Sequence, residues 1–188
     1  MQPHIILISG TARAGKDTVG EMIDNALSDE RVHIHRLGDL VREDLWRATG
    51  VSVAEQLRAR TQWRKVWQWW GTEVRRNLCL ETWWLRAWSA RAQALADRSA
   101  TIIVPDVRFV NELSFFHLWA ESRGYTPKWV VVRRGWLWEL RRLLAPRRWH
   151  ASERDWRRCR AYPHTLLVNN GTLGALERQV QTWVEGLR

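Results

Sequence analysis

The chain has 188 residues, enough for one domain with a substantial core. It holds no run of about 18 apolar residues, so no membrane span is expected, and its first residues lack the pattern of a signal peptide. Lys and Arg number 30 against 20 acids, and the net charge of +10 points to polyanions.

The first element is a short apolar strand, Ile5 to Ile8, which stops at Gly10. Gly10, Thr11, Ala12, Arg13, Ala14, Gly15 and Lys16 then spell G-x-x-x-x-G-K, and a helix is predicted over 18–27. Strand, glycine-rich turn and helix are the setting of a phosphate-binding loop. The glycines let successive N–H groups turn inward, the helix N-terminus adds partial positive charge, and Lys16 reaches the terminal phosphates. The usual Ser or Thr after the lysine is replaced by Asp17, with Thr18 following.

A second strand is expected over 32–37, ended by Gly38, with a helix from Asp39 towards Ala48. Ser52 and Glu55 form a capping box, opening a long helical region to about Asn77 with Gly71 as an interruption. A helix over 81–98 precedes a third strand, Thr101 to Val104, ended by Pro105 and Asp106. A helix over 111–123, a strand over 129–132, a short basic helix over 136–144 and a strand over 166–168 follow, and Thr172 caps a final helix. Apolar strands alternating with helices imply a parallel sheet covered on both faces. The expectation is one α/β domain over 1–188, with a five-stranded parallel sheet and a basic insertion at 135–163.

The carboxylate at the end of the third strand is where P-loop proteins orient Mg²⁺, so Asp106 is a metal candidate if its strand lies beside the first. Arg108 could then neutralise a transferring phosphate. The charge is concentrated: residues 123–160 hold twelve basic residues against three acids, a surplus of nine. Fifteen tryptophans are present. Most are expected in the core: Trp63, Trp67 and Trp70 can share one helix face, as can Trp84 and Trp88. Trp136, Trp138, Trp149 and Trp156, interleaved with arginines, are the better base-stacking candidates. Cys79 and Cys159 lack metal-ligand spacing and are expected as free thiols in a reducing cytoplasm.

Five stretches in this order carry a resemblance: Gly10 to Thr18, Trp70 to Arg76 (WGTEVRR), Asp106 to Glu112 (DVRFVNE), His150 to Glu153 (HASE) and Val168 to Thr172 (VNNGT). Together they resemble the bacteriophage deoxynucleoside monophosphate kinase family of P-loop kinases, over most of the chain. Asp17 after the lysine is normal there, while Val110 stands where Pro is more common. The resemblance implies a nucleoside monophosphate kinase-like P-loop NTPase fold with a lid, ATP as donor, Mg²⁺ as cofactor and the host cytoplasm as location. It implies that Asp17 or Thr18 helps hold the metal and that Asn170, Gly171 and Thr172 border the adenine. Arg108, Arg133, Arg134 and arginines of the insertion would meet the transition-state charge. Asp39 would serve as base or acceptor ligand, and Arg42, Glu73, Arg75, Arg76, Asn111, Glu112 and His150 would line the acceptor side.

Two acceptors fit such a kinase: a free deoxynucleoside monophosphate, or the hydroxyl of 5-hydroxymethyluracil in DNA, as in phage kinases similar to this family. The basic surplus favours DNA, since each neutralised phosphate adds affinity, and tryptophans could stack an unpaired base. Against it, 27 of the 30 basic residues are Arg, a pattern that genomic bias also produces. A DNA-binding protein that binds ATP without kinase chemistry is a third reading, opposed by Lys16, Asp106 and Arg108 together. No membrane partner is expected, and the oligomeric state is not legible.

Overall fold

A computed structural model describes residues 3–27, 31–96, 100–135 and 162–187. They form two compact units, one of residues 1–34 and 95–188, the other of residues 35–94.

The first unit contains a five-stranded, wholly parallel sheet in the order β2-β3-β1-β4-β5. Its strands are β1 (His4–Gly10), β2 (Val32–Ile34), β3 (Thr101–Val104), β4 (Thr126–Arg134) and β5 (Thr165–Asn169). The helices are α1 (Lys16–Ala26), α6 (Val110–Glu121) and α7 (Leu173–Glu185). β1 is buried over its whole length, as its continuous apolar run requires of a central parallel strand. Alternate residues Ile6, Ile8, Ile103, Val130, Val132 and Leu167 turn to one face. There they form a core with Val19 and Ile23 of α1 and Leu176, Val180 and Val184 of α7. α6 packs on the other face through Leu113, Phe116 and Ala120.

The chain leaves β1 for the β2 edge, returns through β3, and then crosses β1 to β4. This reversal beside β1 is the topological switch point, and the crevice beyond the carboxyl ends of the strands there is the ordinary ligand site of an open α/β sheet. The expected strand over 32–37 is shorter than predicted. It pairs with β3 only from Val32 to Ile34. Leu37 and Gly38 instead open the next helix, with Asp39 in its first turn.

The second unit is helical: α2 (Leu37–Thr49), α3 (Val53–Arg58), α4 (Arg60–Trp69), a π-helix (Trp70–Cys79) and α5 (Trp83–Ala96), whose end passes into the first unit. The capping box of Ser52 and Glu55 is present. The long helical region expected to about Asn77 is broken at Ala59 and widens into the π-helix at Trp70. Gly71 does not interrupt it. It is buried, with Val41 side-chain atoms 3.5 Å from where a Cβ would stand, and its carbonyl accepts a 2.7 Å bond from the Trp84 indole. Trp84 and Trp88 are core residues as expected. Trp63, Trp67 and Trp70 are only half-buried. Trp67 donates 2.7 Å to the fully buried Gln56, whose amide holds the carbonyls of Arg42 and Val51.

His35 stacks on Trp88 with ring centroids 5.2 Å apart, and its Nε2 is buried with no hydrogen-bond partner among the described residues. Burial first, then the Arg91 guanidinium, hold its imidazole below the ordinary 6.5; the Trp88 contact and the carboxylates of Asp39 and Glu43 oppose this. Below about 6.5 the unfolded chain takes up a proton that the folded state resists, so stability falls as pH drops through that range and is level above it. The drop in melting temperature from pH 7.5 to pH 5.5 should be smaller in His35→Phe than in the wild type. An equal drop in both would remove His35 from the account.

Among the described residues no helix is long and apolar enough to cross a membrane. Cys79 is an exposed free thiol. The expected helix over 136–144, Trp136, Trp138, Trp149, Trp156, His150 and Cys159 lie outside the described residues.

Candidate active site

The loop from Gly10 to Lys16 joins the buried β1 to α1 at the switch point. Three residues give it its curl through positive φ: Gly10 (145°), Arg13 (63°) and Gly15 (102°). Ala14 N–H turns back to the Thr11 carbonyl at 3.2 Å, and Val19 N–H makes the first helical bond to Gly15 at 2.9 Å. Gly15 is the N-cap and brings no side chain to it, which keeps the positive end of α1 available for an anion. Lys16 folds back across the loop, its Nζ donating to the carbonyls of Gly10 (3.0 Å) and Thr11 (2.9 Å). From this seat its charge lies over the loop mouth. Asp17 is exposed and Thr18 half-buried in the first turn.

β3 lies directly beside β1, in register from Ile5 opposite Ile102 to Leu7 opposite Val104. The pairing persists past the strand, where Val107 N–H bonds the Ile8 carbonyl at 3.2 Å. Asp106 is therefore held at the carboxyl edge next to the phosphate loop, half-buried. α1 approaches closely there, with Pro105 Cβ 3.4 Å from the position a Cβ of Gly20 would take.

Arg108 follows Asp106 on a segment shaped by Glu112. That carboxylate is 1% exposed, and one of its oxygens accepts the N–H groups of Arg108 (2.7 Å) and Phe109 (3.1 Å). Glu112, expected on the acceptor side, closes the loop bearing Arg108, while Asn111 is half-buried in the same turn. Glu112→Ala would strand two donors at about 1–3 kcal/mol each and loosen Arg108. We expect a melting temperature lower by several degrees together with reduced catalytic turnover, and a smaller loss in Glu112→Gln, which keeps one acceptor oxygen. Thermal unfolding of the two variants checks this, and an unchanged alanine variant would refute it.

Arg133 and Arg134 end β4 opposite Val168 and Asn169 of β5. Asn170, Gly171 and Thr172 are exposed just beyond β5, and the Thr172 hydroxyl accepts Ala175 N–H at 3.2 Å to cap α7. All of these belong to the first unit. The remaining predicted residues, His150 aside, belong to the second. There Asp39 is ion-paired with Arg42, whose guanidinium lies 5.4 Å from the Trp67 ring. Arg75 forms a two-point pair with Asp44 (2.7 and 3.0 Å) and lies over the rings of Trp70 and Trp83. The Asp44 hydrogen bond raises its already high pKa, so it is a permanent cation. Glu73 is exposed and accepts from Asn77, and Arg76 is half-buried.

One contact was not foreseen. The Asn169 carboxamide donates 2.9 Å to the Ala14 carbonyl of the loop. Only the adjacent Asn170 was singled out from the sequence, and a contact spanning 155 positions leaves no local signature.

The sheet order, the loop with its lysine and the neighbouring strand-end carboxylate define the fold as that of the P-loop kinases. A model of the adenylylsulphate kinase family matches residues 2–79. Among solved structures, the chain is similar to the Mycobacterium tuberculosis APS kinase CysC. One is the Cys556Ala mutant, at 15% identity over 99% of this chain and 97% of that one, with a TM-score of 0.55. Another is the complex with AMPPNP and APS, at 16% identity over 99% and 98%, with a TM-score of 0.54. Shikimate kinase from Aquifex aeolicus is similar at 14% identity over 98% of each chain, with a TM-score of 0.52. No curated protein sequence matches significantly. At 14–16% identity the likeness reaches the fold and stops short of the acceptor.

Proposed function

We propose that the protein is an ATP-dependent kinase whose acceptor is the hydroxymethyl group of 5-hydroxymethyluracil in phage DNA, a step in thymine hypermodification. The observation that carries the kinase part is Lys16 folded back on a curled phosphate loop, with Asp106 just past the end of the neighbouring strand. Loop amides and Lys16 would hold the β and γ phosphates. The nearby donors, Asp17, Thr18 and Asp106, are hard oxygen ligands. Such donors suit Mg²⁺, which is held by one or two carboxylates plus substrate phosphates. When bound, the ion would neutralise charge on those phosphates.

Transfer itself is positioning and charge neutralisation. An acceptor oxygen bonds the γ-phosphorus as the bond to the β-bridging oxygen breaks, and ADP leaves. Arg108, Arg133 and Arg134 are the cations proposed to meet the charge that develops. An alcohol acceptor must also lose its proton, and Asp39 is the proposed base, with Arg42 as its ion-pair partner. Arg75, Arg76, Glu73 and His150 are the proposed acceptor-side residues.

The surplus of nine positive charges within residues 123–160 supports a polymeric acceptor, because one nucleotide needs only a few cations. A second reading, a deoxynucleoside monophosphate kinase, is favoured by the fold's likeness to kinases named for small molecules. The two separate in one experiment with γ-labelled ATP, offered duplex DNA containing 5-hydroxymethyluracil in one tube and free monophosphates in another. Label in DNA, reduced by added salt, supports the first reading. Label only in the free pool overturns it.

A further inference from the structure

We propose that Asn169 is a positioning residue of the donor site, acting through the peptide between Ala14 and Gly15. The inference rests on the reading that the Gly10–Lys16 loop binds the phosphates of ATP. The Asn169 Nδ2 donates to the Ala14 carbonyl at 2.9 Å. In a trans peptide the carbonyl of one residue and the N–H of the next point in opposite directions. Drawing the Ala14 carbonyl towards β5 therefore turns the Gly15 N–H away from β5, and the loop amides are the groups that an anion needs.

The contact is built into both partners. A Cβ on Gly15 would stand 2.6 Å from Asn169 Nδ2, so a side chain there would expel the amide. Asn169 itself is fixed at the end of β5 opposite Arg134. The preceding Val168 is bracketed by Gln179, which accepts its N–H at 3.0 Å and donates to its carbonyl at 3.1 Å. Ala14 is fully buried and turned back on Thr11, so the peptide is held from both sides. Asn169 also directly precedes the loop proposed to border the adenine, so a base contact is the rival role.

Binding of ATP and of inorganic tripolyphosphate to the full chain distinguishes them. Tripolyphosphate has no base and engages only the phosphate loop. In Asn169→Ala, both ligands should lose affinity by a similar factor, about three- to tenfold for one net hydrogen bond. Asn169→Asp matches the native size and places an oxygen against the Ala14 oxygen, so it should lose more for both. The unfolding temperature of each ligand-free variant establishes that it is folded. Weakened ATP binding with unchanged tripolyphosphate binding would make Asn169 a base contact and overturn the proposal, as would two unchanged affinities. A wild-type protein that binds neither ligand would instead remove the donor-site reading, and this inference with it.

Discussion

Lys16→Ala is expected to cut phosphoryl transfer by about 10²–10³, the scale seen when one preorganised charge-stabilising donor is removed. The protein should stay folded. The hydrogen bonds that Lys16 donates to the Gly10 and Thr11 carbonyls both lie within its own loop. Each is worth only about 1 kcal/mol net. The check is γ-phosphate transfer from labelled ATP beside a melting curve for the same preparation. Activity within tenfold of wild type, in a folded variant, would end the catalytic reading and leave a protein that binds ATP for another purpose. This variant also separates the kinase from a DNA-binding protein regulated by ATP, since only the former needs the charge during transfer.

Gly10→Ala should give the largest loss of stability. Gly10 is the last residue of β1 and pairs with Val132 of β4 in the centre of the sheet. Its φ of 145° is a conformation that L side chains rarely adopt, and an added Cβ would collide with the Val132 carbonyl oxygen. A colliding side chain could rotate aside, but here the obstacle is backbone, so the two central strands would have to part at the mouth of the site. Strain of about 1–3 kcal/mol and overpacking of about 1–3 kcal/mol combine to roughly 2–6 kcal/mol. At about 2–4 °C per kcal/mol for a chain of this size, the melting temperature falls by roughly 4–24 °C. Gly50, with positive φ but open space around its Cβ position, is the control: Gly50→Ala pays only the backbone term. Equal shifts for the two would show that the close approach to Val132 contributes nothing.

The sequence alone determined the elements whose signals are local. The apolar run before Gly10, the glycine spacing with Lys16, the Ser52–Glu55 box and the Thr172 cap each depend on neighbours a few positions away, and each is present. The alternation of apolar strands and helices was enough for a parallel five-stranded sheet, because a strand buried on both faces is apolar throughout. Strand order, and with it the placing of Asp106 beside the loop, came only from the tertiary structure, since pairing between β1 and β3 joins segments about a hundred residues apart. The same holds for Glu112, whose burial under the Arg108 turn cannot be read from a charged letter in a helix. It holds for Gly71, which is buried against Trp84 and Val41. The phosphate loop was legible as a motif, but its tether to Asn169 was not. A glycine motif reports the backbone conformation that it permits, whereas the side chain filling the space it leaves is chosen by the fold.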